Sequence, residues 1–257
     1  MKNIRLYSLS VVLFITFNLF SQKKFTYSFS YPSQKEPTVK SNKKMLLFTN
    51  NQNSIFISEI KLKIDSLRKV YSNNRYLFIE KKKQLKKEEV SYIIEKRISE
   101  NSYTYYNKYA FEKYQYKDNL PELKWQITKE SKNILGYKCF LAKTSFSGRN
   151  YNAWFSYDIP LSDGPYKFTG LPGLILEIYD TEKVFKFLLI GIEKGNFKIF
   201  NKKDYKVIKK EQETKLKQGV EQFIINRAIG NSKRLIKNRI KEKKEISIPI
   251  ELKEENK

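Results

Sequence analysis

The placement of its helix- and strand-breaking residues restricts this chain most. Five of the nine glycines and three of the seven prolines fall between Gly136 and Gly173. Pro160, Pro165 and Pro172 cannot donate to a ladder, and Gly164, Gly170 and Gly173 can take φ values closed to other residues. The segment from Asp158 to Gly173 is therefore expected to follow a fixed, non-repetitive path. Pro172-Gly173 fits the two central positions of a type II turn, which requires positive φ at Gly173 and delivers Leu174 to Tyr179 as a buried strand.

Around this segment, within Trp125 to Asp180, stand Ala153-Trp154-Phe155, Ile159-Pro160, Gly164-Pro165-Tyr166-Lys167-Phe168 and the hexapeptide Gly170-Leu171-Pro172-Gly173-Leu174-Ile175. This arrangement resembles the signature of the GLPGLI family of Bacteroidetes envelope proteins. The resemblance implies an exported protein with strands preceding the signature, and it brings no assigned reaction.

The N-terminus agrees with export. Lys2 and Arg5 precede an apolar run from Leu6 to Phe20, and Ser21-Gln22 offers a small-residue cleavage point, so residues 1–21 are expected to be a signal peptide and 22–257 a single domain. The run has about 15 residues, including Ser8, Ser10, Thr16 and Asn18, against the roughly 20 apolar residues of a span, so no transmembrane span is expected after cleavage. The expected location is the periplasm or the outer-membrane periphery. With 51 Lys and Arg against 27 Asp and Glu, the formal charge is +24. Nucleic acid is not the expected partner, because export separates the chain from it and the Lys-, Asn- and Ile-rich composition also fits an AT-rich genome. The excess lies mainly in Lys35–Lys44, Lys81–Lys87 and Lys183–Lys244, a basic exterior that allows peripheral contact with an anionic envelope surface.

The absence of histidine excludes Ser-His-Asp and Cys-His nucleophilic catalysis and every imidazole metal site. Cys139 is the single cysteine, so neither an intramolecular disulfide nor a thiolate-only metal site can form within one chain. No phosphate-binding glycine loop is present. No cofactor and no metal are expected.

Along the chain, Lys24–Tyr31 alternates aromatic with polar residues as a half-buried strand does. Met45–Thr49 and Ser54–Ser58 read as a hairpin closed by Asn50–Asn53. Ile60, Ile64, Leu67 and Tyr71 recur at helical spacing, predicting a helix over Glu59–Tyr71. Tyr76–Glu80 reads as a short strand and Val90–Ile98 as a helix, and Tyr103–Asn107 and Ala110–Tyr116 have β composition. Trp125–Ile127, Ile134–Phe146 and Tyr151–Tyr157 form an antiparallel meander, with turns at Lys129–Asn133 and Ser147–Asn150. Val184–Glu193 pairs next through Asp180–Lys183. Glu211–Lys241 is helical with a break at Gly230-Asn231, and Ile246–Leu252 is β-like. The expected fold is α+β: a predominantly antiparallel, curved sheet with the C-terminal helix packed on one face.

Functional groups ride on loops held by a rigid scaffold, which makes Tyr157–Phe168 the candidate site. Trp154, Tyr157, Tyr166 and Phe168 are candidates to line an apolar pocket, with Arg149 or Lys167 meeting an anionic group at its mouth. Gly164, Pro165, Gly170, Pro172 and Gly173 read as structural turn residues. The leading expectation is a non-enzymatic binding or assembly protein for an apolar or anionic envelope ligand. Asp158 and Asp163, working with Glu177 or Asp180, keep open a carboxylate-based hydrolase of envelope glycans. A purely structural partner of an outer-membrane complex is the third reading.

Overall fold

A computed structural model describes residues 22–32, 40–50, 52–85, 92–197 and 204–228, with 232, 235–238 and 240. The expected signal peptide, the strand over Ile246–Leu252 and most of the helix beyond Gly230 lie outside the described residues. Among the described residues, no helix is long and apolar enough to cross a membrane.

The strands are β1 Gln22–Pro32, β2 Lys40–Thr49, β3 Asn53–Ser58, β4 Ile93–Arg97, β5 Ser102–Tyr109, β6 Glu112–Asn119, β7 Gln126–Ile134, β8 Tyr137–Phe146, β9 Arg149–Ser156, β10 Leu174–Asp180, β11 Lys186–Gly195 and β12 Lys206–Val207. They form one 12-stranded sheet in the order β12-β6-β5-β4-β3-β2-β1-β11-β10-β9-β8-β7. Every pairing is antiparallel except β12 with β6. Helices α1 Glu59–Val70 and α2 Arg75–Lys83 connect β3 to β4, and α3 Gln212–Arg227 follows β12.

One apolar cluster draws on β1 to β6, on β8 to β11 and on the segment between β9 and β10. The two wings of the sheet thus share a single interior, as in a β-sandwich. Phe25, Tyr27, Phe29 and Tyr31 of β1 point into it, followed by Met45 and Leu47 of β2, Phe56 of β3 and Ile94 of β4. The opposite face of β2 to β4 presents Leu46, Phe48, Ile57 and Ile93 to a smaller cluster that includes Leu62 of α1. Strands covered on both sides lose the apolar-polar alternation that marks a half-buried strand.

This architecture corrects the α+β expectation. The helical cover of the sheet comes from α1, between β3 and β4. The C-terminal helix α3 packs on the β5–β6 hairpin, where Glu213 accepts from the Tyr114 hydroxyl at 2.6 Å and Phe223 meets Phe111 edge-on at 5.4 Å. Two local assignments also reverse. Val90–Ile98 contains strand β4, because Ile93 and Ile94 serve opposite covered faces and their four-residue echo at Ile98 mimics a helix. Tyr76–Glu80 lies in helix α2, which Asn74 caps by accepting from the Leu77 amide at 3.0 Å and which ends in three lysines that suit its C-terminal dipole.

Other elements follow the sequence closely. The Asn50 side chain closes the β2–β3 turn by accepting from the Asn53 amide at 2.9 Å. Ser58 caps α1 through the Lys61 amide at 3.1 Å. The β7–β8 turn falls at Leu135-Gly136, both with positive φ, rather than at Lys129–Asn133, which continues β7 through a bulge.

Candidate functional site

The segment between β9 and β10 is organised by its own backbone. Leu161 donates to Ile159 and Asp163 to Leu161, both at 2.7 Å, making two successive three-residue turns. The amides of Leu174 and Ile175 then return to Ile159 at 2.9 Å and Asp163 at 3.0 Å. The Tyr27 hydroxyl donates to the Ile175 carbonyl at 2.8 Å, so the start of β10 is sealed from both sides. Gly170 has φ +91 and Gly173 has no positive φ, so the type II turn expected at Pro172-Gly173 is not formed. Glycine is needed at 173 for space instead: a Cβ there would lie 2.0 Å from the Ser156 carbonyl oxygen.

Most side chains between Ile159 and Thr169 are buried. Phe168 lies 4.8 Å from the Tyr151 ring and 5.6 Å from Phe146, on the β8–β9 wing. Tyr166 meets Tyr92, before β4, at 5.6 Å. The buried Lys167 ammonium sits 4.7 Å from the centre of the Tyr103 ring on β5. Lys96 of β4 donates to the Gly164 carbonyl at 2.6 Å and forms an ion pair with Asp163, both side chains being fully enclosed. Burial holds Lys96 below the ordinary lysine range, and the Asp163 charge partly restores it. The segment therefore spans the interior from one wing to the other, as a plug.

The predicted pocket residues are thus dispersed. Tyr166 and Phe168 fill space rather than line it. Trp154 is buried beneath the Lys132 ammonium at 4.3 Å, and Tyr157 is half-exposed on Phe140 and Phe155. Arg149 is buried between Asp180 and Glu182, 3.4 Å from each, and does not stand at a mouth. The carboxylates are separately engaged. Asp158 is exposed, Asp163 is held by Lys96, and Asp180 accepts from the Phe185 amide at 2.6 Å. Burial would raise Glu177, but Lys132 and Lys186 outweigh it and hold the carboxyl below the usual range. Burial pushes the Cys139 thiol up to about 11, so it is an inert core residue. No cluster of potential metal ligands occurs among the described residues.

An open feature lies beside the plug. A cleft of about 520 Å³ runs across the ends of β7, β8 and β9. Its wall contains a cross-strand row: Gln126 pairs with Lys143, and Lys143 with Asn152. Neighbouring strands lie ~4.8 Å apart, so the backbones of these three residues follow one another at that interval, and the Lys143 ammonium comes within 4.0 Å of Glu130. Ser145 and Asn150, joined by a hydrogen bond at 2.6 Å, add a second polar step, and Lys124 and Glu122 flank the entrance. Thr144 also borders the cleft; it is buried, and its hydroxyl lacks a hydrogen-bond partner among the described residues. Tyr151 backs the cleft and packs on Phe168, which ties the shape of the cleft to the plug. Sequence reasoning missed these residues because each is an ordinary polar member of an alternating strand. The concentration of amides on the outward positions of β7 and β9 was the available signal, and the misplaced β7–β8 turn concealed the register that aligns them.

No match is found among curated proteins. Two crystal forms of PNGF-II, C2 and P21, share the fold, each at a TM-score of 0.56, with 18% and 17% identity over 77% of this chain. The chain spans about a third of the length of that protein, covering 33% of it in each form. A family model described as the N-glycanase peptide, N-terminal domain, matches residues 30–186, which runs from the first central strand through the plug to the start of β11. Since that match takes in more than half of the 257 residues, the chain belongs to this family of N-glycanase N-terminal domains.

Proposed function

We propose that this chain is a non-catalytic binding module of the cell envelope that holds a polyhydroxylated ligand, a saccharide chain, in the β7–β9 cleft. The row Gln126–Lys143–Asn152 carries the reading. Amides both donate and accept and the ammonium donates, and the three residues stand on neighbouring strands, so successive hydroxyl-bearing units can engage successive steps. Tyr151 supplies a rigid backing, and the lysines at the rim admit acidic sugars. Membership of a family of N-terminal domains agrees with an accessory role beside a separate catalytic unit. A carboxylate-based hydrolase needs two carboxyl groups facing each other across an open cleft. The enclosure of Asp163 with Lys96 does not favour that arrangement.

Titration of the purified chain with neutral and acidic oligosaccharides, followed by NMR shifts and calorimetry, tests the proposal. Shifts should concentrate on β7 to β9. The double variant Gln126→Ala/Asn152→Ala should weaken binding by about tenfold or more, from about 1 kcal/mol for each hydrogen bond lost. No saccharide binding at millimolar concentration, or full binding by the double variant, would overturn it.

A further inference from the structure

The α1–α2 hairpin lies over β2 and β3, away from the cleft, and its outer surface is not explained by saccharide binding. Ile64 anchors α1 in the fold, whereas α2 buries no side chain completely. Phe78 is tucked beneath the Arg68 guanidinium, 5.4 Å from its ring centre. Left outward are Val70 at 71%, Tyr76 at 78% and Ile79 at 41% exposure. Tyr76, Ile79 and Lys83 follow at three- and four-residue steps and share one face of α2. Around them Arg68, Lys69, Arg75, Lys82 and Lys83 are exposed. Two of the hairpin's acids are already engaged within α1, Glu59 by Lys63 at 3.1 Å and Asp65 by both Lys61 and Arg68. Lys108 of β5 is held below the ordinary lysine range by burial and then by Arg68, Lys82, Lys113 and Lys61.

We propose that the α1–α2 hairpin is a peripheral docking surface for an anionic lipid bilayer, with Val70, Tyr76 and Ile79 entering the interface while Arg68, Lys69, Arg75, Lys82 and Lys83 meet the headgroups. The combination selects the partner. A soluble polyanion uses cations and gains nothing from an exposed tyrosine and two aliphatic side chains. A folded protein partner needs a larger continuous apolar surface than three separated residues provide. A bilayer interface uses both, since shallow apolar insertion and attraction to anionic headgroups add together.

The test is co-sedimentation of the full chain with phosphatidylcholine vesicles made with and without phosphatidylglycerol. Binding should require the anionic lipid and weaken with salt. Lys82→Glu/Lys83→Glu should lower partitioning by at least about tenfold. Tyr76→Ser/Ile79→Ser should lower it by at least about fivefold while leaving binding to soluble dextran sulfate unchanged. Lys194→Glu/Lys206→Glu, the same charge change on β11 and β12, controls for the net charge and should change partitioning by less than about threefold. Near-ultraviolet circular dichroism checks that each variant is folded, and Tyr76→Trp should give blue-shifted emission on adding anionic vesicles. Absence of binding to anionic vesicles, wild-type binding by the apolar variant, an equal loss in the control variant or an unshifted emission from the Tyr76→Trp variant would each overturn the proposal. Saccharide binding at the cleft should persist in all these variants, so the two proposals fail independently.

Discussion

Replacement of Gly173 by alanine tests the packing of the plug against the sheet. The backbone at 173 does not require glycine on conformational grounds, since its φ is not positive. The difficulty is contact: the added Cβ would lie 2.0 Å from the Ser156 oxygen, 2.7 Å from its carbonyl carbon and 3.2 Å from the Tyr157 nitrogen. All three are backbone atoms at the end of the β9–β10 ladder, so no side-chain rotation can relieve the overlap. Overpacking of a core by a methylene typically costs about 1–3 kcal/mol. A rigid backbone neighbour puts this case at the upper end, about 3 kcal/mol. For a domain of this size that lowers Tm by about 6–12 °C. Thermal unfolding followed by circular dichroism measures it, with Gly136→Ala as the reference. Gly136 has φ +82 and nothing within 4 Å of a built Cβ, so only the left-handed backbone is penalised there, by about 1–2 kcal/mol. A Gly173→Ala variant that melts within about 2 °C of the parent, or above Gly136→Ala, would refute the argument.

Lys96→Met leaves Asp163 enclosed without its ion-pair partner and should cost about 3–5 kcal/mol in chemical denaturation, while Lys96→Met/Asp163→Leu should recover most of that loss. A single variant within about 1 kcal/mol of the parent would contradict the coupling. Alkaline pH acts through the buried tyrosines: burial and then the Asp163 charge raise Tyr27, burial and then Tyr114 raise Tyr105, and burial with the Glu213 hydrogen bond raises Tyr114. Their folded-state values exceed the unfolded value of about 10, so the stability they contribute is present below that pH and is lost as pH rises above it. Lys96, held low, works in the opposite sense below about 10.4, where the unfolded chain binds the extra proton. Tyrosinate absorbance should therefore rise for the buried rings in one steep step that coincides with unfolding, and independent titration of all tyrosines near pH ~10 would exclude this account.

Strands with one wet face were legible. Phe25, Tyr27, Phe29 and Tyr31 alternate because only one side of β1 enters the interior, and the Asn50 and Asp180 turns announce themselves through side chains that accept nearby amides. Strand β4 was not legible, because Ile93 and Ile94 are both buried, one under α1 and one toward the plug. Nor was the β7–β8 turn, which places Leu135, a residue without turn preference, at φ 50. The irregularity of the plug could be read from its prolines and glycines, but its inward direction could not. Lys96 reaches Gly164, 68 positions away in the chain, together with the neighbouring Asp163, and no local pattern reports such a pairing. The cleft was hidden for a related reason: Gln126, Lys143 and Asn152 become neighbours only through register across three strands.

The first strand among the described residues is also a central one, with β2 on one side and β11 on the other. Tyr27 and the carbonyl it meets on β10 are 148 positions apart. A chain made from its N-terminus forward can build the meander from β1 to β6 early, but one edge of β1 and its row of aromatic side chains must then wait for most of the remaining sequence to arrive. Contacts this distant slow folding, and an uncovered aromatic strand edge invites pairing with another copy. Truncation after β8 would make that interval permanent. The same long-range closure that joins the two wings round a shared interior thus leaves one edge of β1 uncovered until β11 has been made.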